Sequence, residues 1–204
     1  MLNVASQMGE EALRYDRVAR FYDAVAFFVE WFASKHRKEI LHQAKGAILE
    51  VGVGTGKSFK DYPPGNHITA IDISREMLRR AEQKLRSYNG KIELHLEDVQ
   101  SLSFKDETFD TIFACWVFCS VDDPVKGLKE MHRVLKRNGK LLMIEHVKSK
   151  NKVLGYLMEK LNPLVARRDN INRDTVENLQ KTGWTVKQEK NLAYDIVKAI
   201  DALK

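Results

Sequence analysis

The stretch Ile48–Ser58, ILEVGVGTGKS, decides how the rest of the chain is read, because it sets three spaced glycines after a short apolar run. A phosphate-cradling P-loop needs a glycine five positions before its Gly-Lys-Ser ending, and that position holds Val51. A dinucleotide fingerprint starting at Gly52 and Gly54 needs a glycine at the position of Lys57. What the chain spells is acid-x-G-x-G-x-G, from Glu50 through Gly52 and Gly54 to Gly56.

Outward from the loop, short apolar runs alternate with helical patterns. AILEVGV (Ala47–Val53) and HITAID (His67–Asp72) read as buried strands, KIELHLED (Lys91–Asp98) as a third, FDTIFACWV (Phe109–Val117) as a fourth and KLLMIEHV (Lys140–Val147) as a fifth. Between them, Ser74 is placed to cap an amphipathic helix running to Tyr88. A second helix is bounded by Asp123 as cap, Pro124 at its first position and Gly139 as its stop. A final helix near 173–182 and two more strands follow. This alternation predicts an α/β fold: a Rossmann-like, doubly wound, mostly parallel seven-stranded sheet with helices on both faces. Residues 1–44 read as an aromatic-rich helical lid, 45–147 as the ligand-binding core, and 148–204 as a basic helix with C-terminal strands, all in one domain spanning 1–204.

Thirty-four basic against 28 acidic residues give a net charge of +6, which favours contact with anionic partners, either phospholipid headgroups or nucleic acid. Cys115 and Cys119 form neither a disulfide framework nor a C-x-x-C pair, and the six histidines show no metal-ligand spacing, so a cytoplasmic protein with no metal site is expected. FYDAVAFFVEWFA is too short and too interrupted to span a bilayer. KSKNKVLGYLMEKLNPLVARR (148–168) sets leucines among lysines and arginines, the pattern of a helix that can lie on an anionic membrane surface from the cytoplasmic side.

In an open parallel sheet, ligands bind beyond the carboxyl ends of the strands. Glu50, Asp72 and Asp98 stand at three successive strand ends, a set that suits a ligand with a ribose, an adenine and positive charge, and suits a pyrophosphate badly. With that placement, LEVGVGTG, AIDISREML, LEDVQSLSFKDETFDTI and LKRNGKLLMIEHV resemble, in order and spacing, the motifs of the class I S-adenosylmethionine (SAM) methyltransferases. The resemblance implies SAM as cofactor. It implies that Glu50 and the loop Gly52–Gly56 hold the methionine portion, that Asp72 takes the ribose hydroxyls, and that Ile73 and Met77 flank the adenine. Asp98 and Val99 would read the adenine edge, and Cys115 would offer its backbone carbonyl to the SAM amino group.

The flanks bear on the methyl acceptor. Tyr15 and Tyr22, in YDRVARFYDAV, resemble the lid motif of quinone C-methyltransferases and bacterial phospholipid N-methyltransferases, which implies two tyrosines closing over SAM. VFCSVDDP (Val117–Pro124) and EKLNPLVARR (Glu159–Arg168) resemble the phospholipid N-methyltransferases and the membrane-associated thiol methyltransferases, although LVARRDNINRDT lacks the aromatic and Gly-Cys residues of that branch. The Asn/Asp-Pro-Pro-Tyr/Phe motif of base-methylating enzymes is missing after the fourth strand, so nucleic acid is not the expected partner. The expected acceptor is lipid-like, with the amino group of phosphatidylethanolamine foremost and a quinone, a small thiol or a small amine as alternatives; a SAM-binding protein without turnover is a further one. Candidates to accept a proton are Glu145 and His146, with Tyr15 or Tyr22 in the lid. Strand alternation lets at most one of Glu145 and His146 face the substrate, and His146 is the one expected.

Overall fold

The computed structural model describes residues 27–151, 155, 156, 160, 170 and 173–204. The elements run α1 (Phe27–Leu41), β1 (Ala47–Val51), a 3₁₀ turn (Phe59–Asp61), β2 (His67–Asp72), α2 (Arg75–Glu82), β3 (Lys91–Leu96), β4 (Phe109–Cys115), α3 (Pro124–Val134), β5 (Leu135–His146), α4 (Thr175–Lys181), β6 (Thr185–Ala193) and β7 (Val197–Leu203). The strands form one seven-stranded sheet in the order β3-β2-β1-β4-β5-β7-β6. All neighbours from β3 to β5 pair parallel, and β7 pairs antiparallel with both β5 and β6. Successive strands step one way from β1 to β3 and the other way from β4, so the order reverses between β1 and β4.

Both faces of the sheet are covered, which explains why its central strands are apolar at nearly every position. Ile48, Ile68, Phe113 and Leu142 point to the α1 and α2 side, where Leu41, Phe59, Tyr62 and Ala81 join them. The alternate residues Leu49, Ile71, Ile112 and Leu141 point to the α3 and α4 side, against Leu128, Met131, Val134 and Leu179. The period-two alternation of strand side chains thus supplies both cores from the same strands.

The helix starts follow the capping residues. Ser74 Oγ accepts the N–H of Met77 at 3.1 Å, and the Asp123 side chain accepts that of Lys126 at 3.0 Å with Pro124 following it. The helix ends do not follow the sequence pattern. The segment expected to run to Gly139 ends at Val134, because tertiary partners take its last carbonyls: Glu107 N–H donates to Arg133 O, Thr108 N–H to Val134 O, and Lys204 Nζ reaches Leu135 O at 2.7 Å. Leu135 then pairs with Phe109 and starts β5. The helix after Ser74 likewise stops at Glu82 rather than Tyr88, and Tyr88 instead anchors a turn by donating to Pro63 O and accepting from Asn66 N–H.

Candidate active site

A cleft of about 730 Å³, open to solvent, lies where the strand order reverses, at the carboxyl ends of β1, β2 and β4. Eight of the ten residues expected to hold the cofactor line it: Gly52 and Gly54 after β1, Asp72, Ile73 and Met77 around the end of β2, Asp98 and Val99 after β3, and Cys115 ending β4. Two do not. Glu50 lies beneath the loop on the α1 side of the sheet, and Gly56 turns toward Phe59, whose ring would sit 2.5 Å from a Cβ at that position.

The loop's geometry is set by its contacts. Gly54 has φ +55°, its N–H donates to Asp72 Oδ2 at 2.8 Å, and a Cβ there would meet nothing within 4 Å among the described residues. Its bare Cα therefore opens onto the cleft floor and leaves room for a ligand to approach the backbone. Asp72 Oδ1 accepts the N–H of Ser74 at 2.9 Å, so both carboxylate oxygens are oriented by backbone amides of neighbouring loops. Asp98 is held by Gln100, whose N–H donates to Oδ1 at 2.8 Å, and the Gln100 amide also accepts the N–H of Asp123 at the start of α3. These features fit SAM: an open backbone floor, a carboxylate at the end of β2, and apolar Ile73 and Met77 beside it.

Beneath the loop, burial pushes the Glu50 carboxyl up to about 7, against the pull of the Tyr62 hydroxyl, which donates to it at 3.0 Å, and of the Arg37 charge. Arg37, on α1, donates to Asp61 at 2.6 Å and to the carbonyl of Lys57 at 3.2 Å, a buried ion pair that ties α1 to the far end of the glycine loop.

The β4 side of the cleft is lined by Val117, Ser120 and Val121, from the VFCSVDDP stretch, and by Trp116, which carried no expected role. Trp116 has φ +60°, a left-handed backbone rare for a bulky residue. No composition or periodicity signals that conformation; the only cue was a large aromatic at a strand end. His146 is not among the lining residues. Its ring packs against that of Trp116 with centroids 4.3 Å apart, so it touches a lining residue without lining the cleft itself. Its neighbour Glu145 is fully buried and accepts the N–H groups of Val117 and Phe118, and burial raises its carboxyl to about 7 despite those bonds and the charge of Arg173. Tyr15, Tyr22 and most of 152–169 lie outside the described residues. Among the described residues, no helix is long and apolar enough to cross a membrane.

Residues 49–143 match the family model described as "Methyltransferase domain". The fold, the cleft and this match define a SAM-dependent methyltransferase, and the chain belongs to that family and takes SAM as its cofactor. Among its relatives, the phosphatidylethanolamine N-methyltransferase of Cereibacter sphaeroides is 36% identical over 142 residues, which are 66% of this chain and 70% of that protein. The ubiquinone/menaquinone biosynthesis C-methyltransferase UbiE of Geotalea daltonii is 36% identical over 114 residues, 53% of this chain and 48% of that one. The thiol S-methyltransferase TMT1B of Homo sapiens is 34% identical over 124 residues, 54% and 50% of the two chains. A solved structure of a SAM-dependent methyltransferase from Thermotoga maritima, described as a possible histamine N-methyltransferase, superposes with TM-score 0.70 at 22% identity, over 95% of this chain and 99% of that one.

Proposed function

We propose that the protein transfers a methyl group from SAM to a lipid-like acceptor, specifically the amino group of a phosphatidylethanolamine headgroup. The observation that carries this reading is the relative of that activity: the match spans 70% of its length at 36% identity, whereas the quinone relatives are matched over 48% to 62% of theirs and the thiol relatives over 42% to 50%. The net charge of +6 and the basic, leucine-bearing stretch 148–168 support it, since each well-placed cation is worth about 1 kcal/mol at an anionic lipid surface.

Bound SAM supplies a methyl group on a positively charged sulfur, already electrophilic enough for in-line transfer. The residues of the chain hold, align and exclude water, and alignment alone supplies several kcal/mol. In this reading Gly52 and Gly54 bring backbone against the methionine portion, supported from below by Glu50 and Gly56. Asp72 accepts the ribose hydroxyls, Ile73 and Met77 flank the adenine, Asp98 and Val99 meet its edge, and the Cys115 carbonyl accepts from the amino group. Tyr15 and Tyr22 close over the site and keep water out. An ammonium acceptor must lose a proton before it can attack, and His146, stacked on Trp116 outside the cleft lining, is the group proposed to take it, through an intervening water.

The test is incubation with methyl-labelled SAM and a total lipid extract, followed by organic partition and chromatography. Label in a phosphatidylethanolamine-derived lipid is the expected result. Label on a quinone, or only on water-soluble thiols, overturns the choice of acceptor.

A further inference from the structure

Glu145 is fully buried, and nothing in methyl transfer itself asks for a carboxyl group at that depth. Its Oε1 accepts the N–H of Val117 at 2.9 Å and that of Phe118 at 3.1 Å, while its buried Oε2 meets no hydrogen-bond partner among the described residues. The N–H of Trp116 donates to Ile144 O at 2.9 Å. Two adjacent residues of β5 therefore take three successive amides, those of 116, 117 and 118. The turn so pinned is the one in which Trp116 adopts φ +60°, a left-handed conformation that crowds the Cβ of an L-residue against the following carbonyl oxygen. Strain of this kind persists only where surrounding contacts over-determine it. Two features of the cleft depend on the turn. The Trp116 side chain lines the cleft, and Val117 packs so closely on the glycine loop that its Cγ2 would lie 2.5 Å from a Cβ at Gly52.

We propose that Glu145 is a positioning residue: its carboxylate clamps the Trp116–Phe118 turn in the conformation that sets the indole in the acceptor half of the cleft and Val117 against Gly52. Acceptor alignment depends directly on the clamp, whereas SAM binding is spread over the ends of β1 to β4 and meets the turn only where Val117 touches Gly52 and Cys115 precedes Trp116. The inference rests on reading the β4 side of the cleft as the acceptor side. A charged carboxylate is the stronger acceptor for the two amides, so the clamp holds when Glu145 is ionised and slackens when it is protonated. The charged and titratable groups around it are Arg173, whose charge favours ionisation, and Lys198, its register partner on β7, whose Nζ is bonded to Glu189 at 2.6 Å. His146 lies against the Trp116 ring, and the Cys119 thiol donates to Trp116 O at 3.6 Å.

The experiment follows the backbone amide signals of the full chain by nuclear magnetic resonance between pH 5.5 and 8.5, in the wild type and in Glu145→Gln. The wild-type signals of Val117 and Phe118 are expected to move together with one midpoint near 7. In Glu145→Gln, where His146 is still present, they should stay flat and exchange with solvent at least about tenfold faster, the loss expected when a charge-assisted hydrogen bond becomes a neutral one. The same variant should bind SAM within about twofold of wild type and raise the KM for the lipid acceptor about tenfold or more. Amides that do not titrate in the wild type overturn the inference, as does equal titration in both proteins, or parallel loss of SAM binding and acceptor use in the variant. The wild-type titration decides even if the variant fails to fold. A wild type that methylates no lipid overturns the proposed acceptor instead and leaves the amide result to judge the clamp.

Discussion

The two halves of the cleft hold their shape by different means. At the ends of β1 and β2, one carboxylate ties two neighbouring loops together: Asp72 accepts the N–H of Gly54 from the β1 loop and that of Ser74 two residues on, and the Cα of Gly54 stays open. At the ends of β4 and β5, a bulky residue stands in a left-handed turn, held by a carboxylate about thirty residues away in sequence. The two buried glutamates differ in the same sense. Register through Phe113 and Leu142 places Glu50 and Glu145 on opposite faces of the sheet. Glu50 meets a tyrosine hydroxyl beside an arginine, and Glu145 meets backbone. A half built on a glycine and an acid at strand ends announces itself in residue types. A half built from one long-range clamp does not.

The comparison can be broken at several points. The largest effect is expected at Arg37→Ala, which leaves Asp61 buried without its cation and should cost about 3–5 kcal/mol of unfolding free energy in denaturant titration. Losses confined to the glycine-loop half would also show there as weaker SAM binding. Asp72→Ala removes the charged acceptor of two loop amides and, in the proposed role, of the ribose hydroxyls. SAM affinity should fall at least about 100-fold by calorimetry, roughly 3 kcal/mol.

Glu50 sharpens the contrast through pH. Its carboxyl is raised from 4.5 to about 7, so between those values the folded chain binds a proton that the unfolded chain has released. Stability from this group is therefore present at low pH and is lost as pH rises through about 7. Glu50→Gln should remove that fall, making the variant gain on wild type by up to about 3 kcal/mol between pH 4.5 and pH 8. Gly52→Ala meets both a φ of +66° and the Val117 methyl, and should cost about 2 kcal/mol in thermal unfolding. The smallest effect is expected at His146→Ala: unchanged SAM affinity and about tenfold lower turnover, about 1.4 kcal/mol. Normal turnover would remove its proposed proton-accepting role.

Much of the first half was legible because its signals are local. Ser74, Asp123 and Pro124 mark helix starts through side-chain geometry that operates over three residues, and all act as expected. Acids at strand ends mark Asp72 and Asp98 for the same reason. Helix ends were misread where distant partners intervene: Gly139 looked like a stop, but Glu107, Thr108 and Lys204 take the carbonyls of α3 first. Period-two alternation separated Glu145 from His146, yet it could not say that the histidine would stack on Trp116 or that the glutamate would reach backbone in β4's loop. The backbone of Trp116 was illegible because no residue type encodes it; only the amides pinned by β5 do.

The wedging of β7 between β5 and β6 has a consequence for how the chain is made. β6 is translated before β7 but has no place in the sheet without it, since β5 pairs with β7 and not with β6. When β5 leaves the ribosome its outer edge therefore stays unpaired until β7, about 60 residues later, has emerged. At ordinary rates of synthesis that is roughly 3–12 s during which an apolar strand edge stands open, the interval in which a nascent chain most needs a chaperone.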